Sequence, residues 1–112
     1  MPSDPRQAAL AAVEVFCESR VPEGHRDEVR LECSRRGYPI TIVERRPPWS
    51  PELIGPSTKV AQLRYDQSAG RWSLYWCGRN ERWWPYDNIE PSASIDRLLG
   101  EIDADPTGIF WG

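Results

Sequence analysis

At 112 residues, 39% apolar and 28% charged, the chain is long enough to bury one hydrophobic core and too short for two, so one domain spanning 1–112 is expected. Six Trp, four Tyr and two Phe supply the bulk that offsets chain entropy, which excludes a disordered chain, and a formal charge of −3 lacks the basic excess of a typical nucleic-acid footprint. The longest apolar run, residues 8–13, is far short of the roughly 20 residues that cross a bilayer, and no charged-then-apolar leader opens the chain, so the expectation is a cytoplasmic protein with no membrane partner.

The first element reads as a helix. Asp4 is placed to cap it, Pro5 suits the first helical position, and Gln7 completes a capping box. Leu10, Val13, Phe16 and Cys17 then recur at helical spacing, until residues 21–24 with Pro22 and Gly24 end the helix. From Glu28 the period changes to two. Val29, Leu31 and Cys33 alternate with Arg30, Glu32 and Ser34, Gly37 turns the chain, and Tyr38, Ile40, Ile42 and Val43 form the returning strand. Pro47, Pro48 and Pro51 cannot donate to a ladder, so residues 47–58 are expected to form a Pro-rich loop.

A second hairpin follows, with Ala61, Leu63 and Tyr65 alternating on one strand, residues 66–70 turning, and Trp72, Leu74 and Trp76 alternating on the next. Another turn at residues 78–80 leads into a short strand over 82–86, where Pro85 implies an edge position. Ser92 or Ser94 caps a last helix carrying Ile95, Leu98, Leu99 and Ile102, and the apolar tail Ile109, Phe110 and Trp111 should fold back onto the core. The fold class is α+β, with an N-terminal helix, a four- or five-stranded antiparallel meander, and a C-terminal helix packed on the same face of the sheet as the first.

Cys17, Cys33 and Cys77 are an odd, widely spaced set, and buried reduced thiols are their expected state. With His25 the only histidine, and expected at the surface, neither a metal nor another cofactor is implied. Residues 26–82 hold eleven basic residues against seven acids, a net of plus four inside an acidic chain. If the Trp, Leu and Cys positions of the strands face the helices, the opposite face presents Arg30, Arg64, Arg71 and Tyr75. That combination can stack bases and hold phosphates, or it can be a solvated face whose arginines pair with Glu32 and Glu44. Trp83 and Trp84 are adjacent in a strand and must point to opposite faces, so one of them is exposed as an anchor or covered together with Trp49 beneath the loop.

Catalysis has less support. Glu32 and Glu44 beside Arg45 and Arg46 give a weak likeness to an acidic-then-basic metal nuclease centre, although Arg handles protons poorly. Asp103 and Asp105 stand at the C-terminal end of a helix, where the dipole disfavours them.

Taken together, Glu44-Arg45-Arg46-Pro47-Pro48-Trp49, residues 60–65, Trp72-Ser73-Leu74-Tyr75-Trp76, Arg79 with Trp83-Trp84-Pro85-Tyr86-Asp87, and the ending at residues 101–106 with Phe110-Trp111-Gly112 make the chain resemble a bacterial family of small proteins, the domain of unknown function numbered 3024. Members of that family often have His near the last strand, where this chain has Trp84. The resemblance implies the extent of the domain and no activity. The functional expectation is a non-enzymatic binding module that uses the Arg/Tyr-bearing sheet face and the Pro-rich loop from Arg46 to Pro56, with Arg30, Arg46, Trp49, Arg64, Arg71, Tyr75 and Trp83, to hold a protein partner or nucleic acid. The alternatives are a metal-dependent nuclease or hydrolase using Glu32 and Glu44, a subunit of a larger assembly, and a homodimer joined through the Pro85 edge strand.

Overall fold

Helix α1, Pro5–Arg20, forms over a segment with four alanines, and its buried stripe is Ala9, Val13 and Cys17. Leu10, Ala12 and Phe16 flank that stripe at partial burial. A 3-10 turn, Glu23–His25, reverses the chain into β1 (Arg30–Arg35), which pairs with β2 (Ile40–Arg45). There follow β3 (Ser57–Asp66), β4 (Arg71–Cys77), β5 (Trp83–Pro85) and helix α2 (Ile95–Ala104). The computed structural model describes residues 5–35, 39–48 and 57–111; Asp4, Gly37, Tyr38 and Trp49, and with them the first cap and most of the Pro-rich loop, lie outside the described residues.

The sheet has five antiparallel strands in the order β1-β2-β3-β4-β5, a meander as expected. Leu31, Cys33, Ile40, Ile42, Ala61, Leu63, Trp72 and Leu74 occupy alternate positions of their strands and pack with Val13 and Cys17 of α1 and Leu98, Leu99 and Ile102 of α2. Both helices therefore lie on one face. Tyr65 and Trp72, directly opposite across β3 and β4, tilt against each other with centroids 4.9 Å apart.

Three details depart from the simple alternation. The register between β2 and β3 slips between Ile42 and Val43, so that Val60 is an extra residue in β3, a β-bulge that leaves residues 60–63 buried in succession. Residues 57 and 58, expected in the loop, already pair with Arg45 and Glu44. β1 starts at Arg30 rather than at Glu28, because the Glu28 and Val29 amides both bond the His25 carbonyl.

The C-terminal segment explains its own acids. Asp105 takes the left-handed conformation that ends α2, with φ 43°, and its carboxylate accepts the backbone N–H groups of Phe110 (3.1 Å) and Trp111 (2.9 Å). Asp103 pairs with Arg20 of α1, whose guanidinium also lies 4.2 Å over the Trp111 ring. Trp111 donates its indole N–H to the Ile102 carbonyl at 2.7 Å, satisfying a group the helix end would otherwise leave open. The unfavourable dipole is thus offset by two amides and a guanidinium. Phe110 is buried and Trp111 partly so, whereas Ile109 stays at the surface. Ser94 holds the N-cap position of α2 without a side-chain bond to the helix; its own amide donates to the Ser92 hydroxyl at 3.0 Å.

Candidate functional site

The pleat assigns the second face of the sheet residue by residue. Arg30 stands opposite Arg45, Glu32 opposite Val43, Gln62 opposite both Thr41 and Tyr75, Arg64 opposite Ser73, Asp66 opposite Arg71, Tyr75 opposite Pro85 and Cys77 opposite Trp83. All point away from the helices. Five of the seven expected site residues, Arg30, Arg64, Arg71, Tyr75 and Trp83, therefore share this open face. Arg46 does not belong with them: it lies one residue past β2 and is tied back to Glu44 at 3.0 Å, a side chain of the opposite pleat parity. Trp49 lies outside the described residues.

At the centre of the face a polar chain crosses three strands. Gln62 Nε2 donates to Thr41 Oγ1 at 3.0 Å, Arg64 Nε donates to Gln62 Oε1 at 2.7 Å, and the Arg64 guanidinium stands 4.0 Å over the Tyr75 ring. Gln62 is only 8% exposed even though no helix covers it among the described residues, because these neighbours roof it. Both ends of its amide are satisfied, as a buried amide requires. The bond and the stack hold Arg64 in place at Nε and along the plane of its guanidinium.

Toward β1, Arg30 and Arg45 are like charges directly opposite, a destabilising pair. Arg45 is compensated by Glu32 at 3.1 Å, and Arg30 Nε donates to the Arg26 carbonyl at 3.2 Å. Glu32 and Glu44 are thus bound to Arg45 and Arg46 instead of neutralising Arg64 or Arg71. At the other end, the β4–β5 turn puts Asn80 and Glu81 at positive φ, and Lys59 reaches Glu81 at 3.5 Å.

Trp84 is the more exposed of the adjacent tryptophans, at 46%, and it faces the helix side, opposite Trp76. Its indole lies on Gly78 so closely that a Cβ at that position would come within 2.8 Å of the ring. Trp83, half-buried, is the one on the open face beside Cys77.

The metal-nuclease alternative does not survive the register. Glu32 pairs with Val43 and Glu44 with Leu31, so the two carboxylates lie on opposite faces of the sheet and cannot share an ion. Among the described residues no group of three or more His, Cys, Asp and Glu is placed to hold a metal. His25 is exposed, 3.7 Å from Glu28, and no described helix is long and apolar enough to cross a membrane.

A shallow groove of about 500 Å³ between α1 and α2 is lined by Ala12, Val15, Phe16, Leu99 and Gly100 and by the Arg20–Asp103 pair. It shares no residue with the open face. Sequence reasoning missed Thr41, Arg45 and Gln62 as members of that face. Parity carried through β2 could have placed Thr41 and Arg45, whereas the burial of Gln62 depends on contacts across three strands.

No curated protein and no solved structure matches this chain. The family model described as Domain of unknown function (DUF3024) matches residues 1–112, the whole chain, and the protein therefore belongs to the DUF3024 family.

Proposed function

We propose that the protein is a non-enzymatic binding module that grips a carboxylate-rich segment of a partner protein on its open sheet face, through Arg64, Arg71, Tyr75 and Trp83. The observation that carries this reading is the Arg64 guanidinium held between Gln62 (2.7 Å) and the Tyr75 ring (4.0 Å) on the face opposite both helices. A guanidinium clamped at Nε and along its plane has lost its freedom before binding, and its terminal amino groups form the fork that suits a carboxylate. Arg71, exposed at the adjacent end of β4, adds a second cation within the same strand pair.

Nucleic acid is the less favoured ligand. The chain carries a net charge of −3, and the side of Tyr75 on which Arg64 stacks is closed to a base unless the stack opens. Arg30 lies at the far end of the same face and would extend the footprint toward β1.

The test uses the full chain, a fluorescein-labelled peptide alternating Glu with Leu and Tyr, and a labelled single-stranded oligonucleotide of equal length. Saturable anisotropy with the peptide, lost in Arg64→Ala/Arg71→Ala, with amide shifts at residues 62–66 and 71–77, is the expected result. Equal or tighter binding of the oligonucleotide, or peptide binding that survives the double substitution, overturns the proposal.

A further inference from the structure

Two of the three cysteines meet. Cys17 belongs to the buried stripe of α1 and Cys33 to the helix-facing row of β1, so elements of different period bring together thiols that stand sixteen positions apart. Cys33 packs against the core cluster that contains Cys17, and both thiols line one cleft between α1 and β1. The cleft, of about 230 Å³, opens over the pair, walled by Glu14, Glu18, Leu31 and Glu32. The two thiols are not equivalent: Cys17 is 4% exposed, while Cys33 is partly open.

We infer that Cys17 and Cys33 form a peroxide-sensitive thiol pair, in which Cys33 is attacked first and Cys17 resolves it to an intramolecular disulfide that pins α1 to β1. The substrate class follows from the cleft. It is small, and its three carboxylates repel anionic oxidants, leaving a neutral hydroperoxide as the reagent that fits. The neighbouring Cys17 thiol lowers the Cys33 pKa against the raising effects of burial and Glu14, which favours the thiolate that a peroxide requires, whereas Cys33 and then burial raise that of Cys17.

The Cys33 thiolate attacks one oxygen of hydrogen peroxide. The O–O bond breaks, hydroxide leaves and takes up a proton, and Cys33 becomes a sulfenic acid. The Cys17 sulfur then attacks the Cys33 sulfur, the S–O bond breaks, and the departing hydroxide combines with the Cys17 proton as water. Overall, two thiols and one peroxide give one disulfide and two waters. Cys77 takes no part, since it stands on the opposite face in β4, three strand spacings from β1, or about 14 Å.

The test is intact-mass analysis of the reduced full chain after treatment with hydrogen peroxide, followed by non-reducing peptide mapping. The expected result is loss of two hydrogens, one peptide linked Cys17 to Cys33, Cys77 still free, and full reversal by dithiothreitol. In Cys17→Ser the reaction should stop at a dimedone-reactive sulfenic acid on Cys33, and in Cys33→Ser the buried Cys17 should stay reduced under the same conditions. Oxygen addition without a link in the wild-type chain, a link through Cys77, or chains joined to each other would overturn the inference. Oxidation of Cys17 in Cys33→Ser at the wild-type rate would overturn the assigned order of attack.

Discussion

The Arg64–Tyr75 stack can be weighed by a double-mutant cycle. Arg64→Leu removes the cation but keeps an apolar stem over the ring, and Tyr75→Leu removes the π-face but keeps apolar bulk on the strand. At this solvent-facing site a cation–π contact contributes about 0.5–1 kcal/mol. Arg64→Leu also deletes the 2.7 Å bond to Gln62 Oε1, a charge-assisted bond of about 1.5 kcal/mol when sheltered, discounted here because water reaches the vacated acceptor. The single substitution should therefore cost about 1–2 kcal/mol, and the coupling term should isolate about 0.5–1 kcal/mol as the stack itself. Urea unfolding followed by Trp fluorescence measures both, since Trp72 is buried in the adjacent strand. In thermal melts, each kcal/mol corresponds to about 4–8 °C for a chain near 100 residues. A coupling below about 0.2 kcal/mol, the bottom of the range for exposed charge pairs, would mean that Arg64 is not held by Tyr75 and that the preorganised fork does not exist in solution.

Other substitutions test the packing that supports this face. Leu98→Ala, at a fully buried position of α2, should cost about 2–5 kcal/mol in the urea midpoint without altering peptide binding. Asp105→Ala removes the acceptor of two tail amides and a residue suited to positive φ; a loss of about 3 kcal/mol and a red shift of Trp111 emission are expected. Gly78→Ala pushes a Cβ to within 2.8 Å of the Trp84 ring and 3.1 Å of the Trp76 ring, and its cost of about 1 kcal/mol should be smaller when measured in a Trp84→Ala background. Burial raises the Tyr86 phenol pKa, and Glu101 accepts its proton at 2.8 Å. The neutral phenol therefore stabilises the fold fully below the ordinary tyrosine value of about 10, and that contribution declines as pH rises through the raised value. Tyr86→Phe should flatten the alkaline fall in stability.

Much of the architecture was legible because each element keeps one period. Leu98, Leu99 and Ile102 mark the buried stripe of α2 with Ile95 partly buried beside it, and the alternation of Trp72, Leu74 and Trp76 assigns Arg71 and Tyr75 to the other face without reference to any partner strand. What escaped the reading depends on contacts between distant residues. The bulge at Val60 is set by how β2 and β3 slide past each other, and nothing local to residues 60–63 announces four buried positions in succession. Asp105 reads as a misplaced acid until the Phe110 and Trp111 amides are brought to it. Cys17 and Cys33 read as unrelated core thiols, because a helical stripe and a strand face carry no information about which of their members will touch. Arg46 reads as the start of the Pro-rich loop, and only its bond to Glu44 shows that it is tied back to a side chain of the helix-facing parity.

The edges of the sheet decide how a partner would have to bind. On β5 the Tyr86 amide bonds the Leu74 carbonyl and the Gly78 amide bonds the Arg82 carbonyl, so residues 82, 84 and 86 turn their backbone toward β4 and residues 83 and 85 turn theirs outward. Pro85 thus removes an amide from the outward row of a three-residue strand, leaving little for another strand to pair with. On β1, Arg30 and Glu32 at alternate positions place charge along the other edge. With backbone pairing blunted at both edges, the proposed contact with a partner rests on side chains of the open face and not on an added strand. Binding should accordingly respond to Arg64, Arg71, Tyr75 and Trp83 and be indifferent to N-methylation of alternate peptide amides, a change that blocks strand addition. Loss of binding by the N-methylated peptide, with Arg64→Ala/Arg71→Ala still competent, would show instead that the partner adds a strand to the edge.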